Sequence, residues 1–255
     1  MVITLLFLAS CAAVERPDPT RSAFGILVHG CHLQAEGWES IVWGIPPSRL
    51  GRLPRAALLA WEERDTLACI CMGTAASSTP DGDYEAVVLA RMLTRRCHEL
   101  SQFSAFQGVP LRELELLLRS VVHTDLVSTN TREEVTEGLS RFEAAGVTRA
   151  VLVSSPTHLP RCLIEGCAVL ERQPTLFSGT LLACPSDTCY SGYSSADVVV
   201  VEPPHRGDRD RSLDRWPLHE LVRRQFALDG PRRRHLLERL DALLDEAEAE
   251  AEAEA

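Results

Sequence analysis

The stretch from Val121 to Arg161, VVHTDLVSTNTREEVTEGLSRFEAAGVTRAVLVSSPTHLPR, holds two apolar runs that each end in hydroxyl and amide residues. The first, VVHTDLV, closes on Ser128-Thr129-Asn130-Thr131. The second, AVLV, closes on Ser154-Ser155-Pro156-Thr157-His158. A segment of helical character follows each cluster. Strand, polar turn and helix, repeated in that order, is the pattern of a parallel α/β unit. In such sheets ligands collect beyond the carboxyl ends of the strands, where both clusters fall.

Outward from this stretch the same alternation continues. Upstream, AFGILVHG reads as a first core strand closing on Gly30, and 31–47 shows no clear period and reads as a loop. LPRAALLAWEER, within 49–64, has apolar residues at helical spacing. TLACICMG is a second buried strand turning at Gly73. Helices are expected across 84–98 and 111–119. Downstream, the helix after Arg161 continues through LIEGCAVLE, a strand is expected within 174–182, and DVVVV at 197–201 reads as another. A polar loop at 205–210 and helices across 213–228 and 231–246 follow. The expectation is a three-layer, Rossmann-like α/β domain with a mostly parallel sheet over 23–228. An N-terminal segment, 1–22, precedes it, and a helix with an acidic Glu-Ala tail, 229–255, follows it.

With 255 residues, 45% apolar and 24% charged, the composition is that of an ordinary soluble domain. Much of the net charge of −10 sits in the run from Asp245 onward. The remainder is near balance, so no nucleic-acid footprint is implied. All 26 basic side chains are arginine, which excludes a P-loop lysine and Schiff-base chemistry. Nine dispersed cysteines, an odd count, point to free thiols in a reducing compartment, hence a cytoplasmic location. Leu8-Ala9-Ser10-Cys11 resembles a lipoprotein cleavage box, which keeps an envelope-associated alternative open. However, no Lys or Arg precedes the apolar run, and that run is too short to span a bilayer.

The chemistry-bearing residues lie at the two polar turns. Ser128 to Glu133 precede a helix, whose free N–H groups and dipole favour an anion. Asn130 or Thr131 serving only as a cap is the plainer alternative. His158 and Arg161, three apart, share a helix face. A histidine moves protons near neutral pH and an arginine forks onto phosphate or carboxylate. The cysteine and histidine spacings do not suit a structural metal. The G-x-S-x-G elbow and the G-x-G-x-x-G fingerprint are absent.

Ser128-Thr129-Asn130-Thr131-Arg132-Glu133-Glu134 resembles the Ser-x-Asn-Thr-x-Glu-Asn segment of the YdcF-like family, a domain of unknown function that includes the SanA and ElyC envelope proteins. Ser154-Ser155-Pro156-Thr157-His158-Leu159-Pro160-Arg161 resembles that family's Thr-Ser-x-x-His-x-x-Arg segment. Gly30, Arg55, Gly73 and Glu85 fall at its weaker signals. Met72-Gly73-Thr74 replaces its usual Ser-Gly-Gly, Glu134 replaces an Asn, and His29 and Cys31 stand where small residues are common. The resemblance implies a small anionic or nucleotide-like ligand at the strand ends and permits S-adenosylmethionine. Its ligand-binding residues would be Gly30, Arg55, Gly73, Glu85, Ser128, Asn130, Thr131, Glu133 and Ser155, with His158 and Arg161 as catalytic candidates and no metal. The alternative is an enzyme acting on a phosphate ester or envelope precursor, with His158 as acid or base.

Overall fold

The computed structural model describes residues 23–35, 37–189 and 228–253. Five strands form one sheet: β1 (Phe24–Val28), β4 (Leu67–Met72), β5 (Val122–Thr124), β6 (Arg149–Ser154) and β7 (Thr180–Pro185). Their order is β5-β4-β1-β6-β7, and every adjacent pair is parallel. From β1 the chain steps outward through β4 to β5, then crosses back to β6 and on to β7. The direction of winding therefore reverses between β1 and β6. Such a reversal opens a crevice at the carboxyl ends of those two strands.

Alternation along each strand assigns the two faces. Ile26, Val28, Ile70, Met72, Val151 and Val153 pack with Leu53 and Ala57 of α2 (Arg52–Glu62), Leu89 of α3 (Glu85–Arg95) and Leu114 of α4 (Leu111–Val121). Leu27, Cys69, Cys71 and Leu152 face the other way, onto Leu139 and Phe142 of α5 (Thr131–Ala144) and Cys162 and Val169 of α6 (Leu159–Arg172). This is the expected three-layer α/β fold. Its central strand β1 is fully buried along its length.

Boundaries differ from expectation where local chemistry intervenes. VVHTDLV supplies only three paired residues, because Val121 ends α4 and Asp125 turns the chain away. The Asp125 Oδ1 accepts the Val127 and Ser128 N–H groups at 2.9 and 3.0 Å. This is an Asx turn that competes with further pairing. The expected loop at 31–47 holds a short helix, α1 (Trp38–Trp43), and a strand, β2 (Gly44–Ile45), paired with β3 (Arg49–Leu50). The buried Ile41, Val42 and Trp43 are consecutive, so they show no helical period. The strand expected within 174–182 pairs later, as β7. The final helix, α7 (Gly230–Ala253), extends the expected one through the Glu-Ala run. The expectations for 1–22, 197–201, 205–210 and nearly all of 213–228 lie outside the described residues.

α5 is capped as the polar turn predicts. Asn130 Oδ1 accepts the Glu133 N–H at 3.0 Å, and the Glu133 carboxylate accepts the Thr129 N–H at 2.8 Å. Replacing Asn130 with Ala should cost about 1 kcal/mol in denaturant unfolding.

Candidate functional site

Three strand ends and four helix starts converge at the winding reversal. β1 runs into His29 and Gly30, β4 into Gly73 and Thr74, and β6 into Ser154 and Ser155. α2 and α3 arrive from one face of the sheet, and α5 and α6 from the other. Charged side chains from both faces meet beyond the sheet end, where no strand neighbour fills the space.

Arg52, at the start of α2, is fully buried. Its Nη1 donates to the His29 carbonyl at 3.0 Å and to the Gly30 carbonyl. Its Nε and Nη2 donate to Ser155 Oγ at 3.1 and 3.0 Å. One guanidinium thus ties the end of β1 to the end of β6 across the crevice. A planar fork of fixed donors suits that bridging better than a flexible ammonium.

His29 and Glu134 form a buried pair, Nδ1 to Oε2 at 2.6 Å. The other carboxylate oxygen accepts the Gly30 N–H at 2.8 Å. Burial alone lowers the histidine pKa, but the nearby Cys162 and the Glu134 carboxylate outweigh it and push the pKa up to about 10. The imidazole is therefore protonated at neutral pH, and both nitrogens are donors. Nδ1–H goes to Glu134. Nε2 is buried and meets no oxygen acceptor among the described residues, with the Cys162 side chain as a weak hydrogen-bonding neighbour of the ring.

His158 sits 5.6 Å from His29, ring centroid to centroid, edge to face. Its Nε2 lies 2.6 Å from Arg161 Nη2 and its Nδ1 lies 2.8 Å from Ser154 Oγ. A guanidinium only donates, so Nε2 accepts and Nδ1 carries the proton to Ser154. Burial, then the charges of Arg161, Arg52 and His29, hold its pKa well below the ordinary histidine value. The two imidazoles are thus set in opposite states, His29 charged and His158 neutral. Arg161 also donates to Thr131 Oγ1 at 3.2 Å, which joins the starts of α5 and α6.

Glu85, at the start of α3, accepts from Thr74 Oγ1 at 2.8 Å and from Ser77 Oγ. A Cβ on Gly30 would come against the Glu85 carboxylate, so any larger residue there would push that side chain aside. Burial, opposed by the two hydroxyls, raises the Glu85 pKa from 4.5 to about 7. The folded chain then binds a proton that the unfolded chain has released. Stability from this group is fully present below pH 4.5 and falls as pH rises toward 7, by up to about 3 kcal/mol. Glu85→Gln should flatten that slope in unfolding curves measured across this range.

The anticipated residues distribute unevenly. Gly30, Glu85, Thr131, Ser155, His158 and Arg161 come together at the crevice. Gly73, with φ +60°, makes the turn after β4, where a Cβ would meet Ala86 Cα at 2.8 Å. Ser128 is buried and ties the rim loops through its carbonyl, which accepts the Ala75 N–H at 2.8 Å. Asn130 and Glu133 cap α5. Arg55 pairs with Asp187 at 2.9 Å on an exposed edge, and Arg52 of the same helix occupies the crevice instead. His29, Arg52 and Glu134 were not anticipated as site residues.

No family model, curated protein or solved structure matches the chain. Among the described residues, no helix is long and apolar enough to cross a membrane, and no group of histidine, cysteine and carboxylate side chains could hold a metal ion.

Proposed function

We propose that the crevice between β1 and β6 binds a small anionic molecule. The observation that carries this reading is the fully buried His29, whose Nε2 meets no oxygen acceptor among the described residues, Cys162 being its neighbour beside the Glu134 carboxylate. Leaving a buried charged donor unmatched costs on the order of 1 to 3 kcal/mol or more, so an anionic oxygen there would recover that loss. Arg161, Thr131 and the N-terminal ends of α5 and α6 supply further donors around the same point. The set suits a phosphate or carboxylate group, as carried by nucleotides, sugar phosphates or S-adenosylmethionine.

A second reading, an enzyme acting on a phosphate ester or envelope precursor, draws on the His29–Glu134 pair. A carboxylate-backed imidazolium is a proton donor of the kind general acid catalysis uses. In that reading His158 holds Arg161 in place, because its Nε2 lone pair faces the guanidinium.

Thermal-shift screening of the purified chain against S-adenosylmethionine, nucleotides and sugar phosphates tests the binding reading. A His158→Ala/Arg161→Ala double variant serves as the comparison. A saturable rise in melting temperature, absent from the variant, is the expected result. Equal shifts in both proteins would remove these residues from the site. Turnover of a phosphorylated library separates the enzyme from the binder.

A further inference from the structure

The last helix of the chain carries an apolar stripe that stands open to solvent. Leu236, Leu240 and Leu243 of α7 are 43%, 50% and 57% exposed. Steps of four and then three place them along one side of the helix, at the spacing of a two-helix seam. Charge is divided along the same helix. Residues 231–239 carry four arginines and one glutamate, whereas 241–253 carry six acidic residues and no basic one. The first turn holds no acidic residue and the last turn no basic one. This is the reverse of what a lone helix favours, which is acid at its N-terminus and base at its C-terminus.

We propose that α7 pairs with the α7 of a second copy of this chain, the two helices antiparallel about a two-fold axis. One arrangement then answers both features. The leucine stripes close on each other and leave water. The arginine-rich half of each helix lies along the acidic half of the other, so each helix end gains the charge that it lacks. With α7 at 24 residues, about 36 Å long, the match runs over the whole helix. A parallel pair would set arginine beside arginine and carboxylate beside carboxylate, so charge selects the orientation. It also selects the occupant. A fitting partner offers an apolar stripe with base opposite the acidic half and acid opposite the basic half, and α7 turned end for end is that partner. Arg232 lies 3.7 Å from Asp229, but both are exposed and such a pair contributes little. The contact is the same patch on both copies, so it closes at two.

Sedimentation of the full chain over a concentration series in low salt tests the pairing, and a reversible monomer–dimer equilibrium is expected. Leu236→Gln/Leu240→Gln/Leu243→Gln should weaken it at least about a hundredfold by removing the apolar seam. Glutamine forms helix about as well as leucine, so α7 itself persists. Salt at about 1 M should also weaken the wild-type dimer, since charges are then screened beyond about 3 Å. Orientation is read by cross-linking. The chain has no lysine, so Arg234→Lys adds its single side-chain amine, which a carbodiimide joins only to a carboxylate in contact. In a mixture of ¹⁵N-labelled and unlabelled chains, heavy–light links from position 234 to the acidic residues of 245–254 are expected. Within one straight helix those residues begin about 16 Å away, out of reach of such a link. A monomer at every concentration, a dimer that survives the leucine changes, or heavy–light links that miss the acidic run would each overturn the proposal.

Discussion

Arg52→Met is expected to destabilise the chain by about 3 to 5 kcal/mol, the range for breaking a buried charged network. The methionine fills similar space but donates no hydrogen bond. The His29 and Gly30 carbonyls and Ser155 Oγ each lose a donor. The ends of β1 and β6 would then be joined only by the strand ladder behind them. Chemical denaturation at neutral pH measures the loss. Arg55→Met provides the control: its ion pair with Asp187 is half-exposed, so its loss should be clearly the smaller of the two. Equal losses in the two variants would mean that Arg52 does not tie the crevice together.

Glu134→Gln should have a comparable effect with a distinct pH signature. Glutamine keeps the size and an oxygen for the Gly30 N–H but removes the carboxylate that, beside Cys162, holds the His29 proton. In the wild type the His29 pKa is raised, so its contribution is fully present below pH 6.5 and lost as pH rises through about 10. In the variant the Glu134 share of that support is gone, so the pKa drops and the contribution shrinks. The stability gap between the two proteins should therefore be widest near pH 6 and close as pH approaches 10. A gap of about 3 kcal/mol at pH 6 is expected from breaking a buried pair by removing one partner. A gap independent of pH would show that the pair is not charged.

The layers of the fold were legible because β1 and β6 are unbroken apolar runs and the helices carry clear three-and-four spacing. Element ends were less so, since Asp125 stops β5 through its own side chain and no periodicity records that. The site was half legible. His158, Arg161, Thr131 and Ser155 lie in one polar stretch, whereas His29 and Glu134 are separated by 105 positions and meet only through the crossover. One signal for Glu134 was present. Thr131, Glu134, Val135, Gly138, Leu139 and Phe142 make up the buried face of α5, at helical spacing. Stepping back four from Gly138, or eight from Phe142, selects Glu134 over its neighbour Glu133. Nothing comparable separates Arg52 from Arg55, both on α2, because only the packing of that helix start against the strand ends decides which is buried.

The central claim is that the His29 Nε2–H awaits an anionic oxygen. The direct measurement is the ¹H and ¹⁵N resonance of that group, in a chain with ¹⁵N-labelled histidine, during titration with inorganic phosphate near neutral pH. A downfield, saturable shift in the wild type, with much weaker saturation in Arg161→Gln, is the predicted result. A His29 ring resonance that stays still throughout, or one showing Nε2 unprotonated at neutral pH, would contradict it.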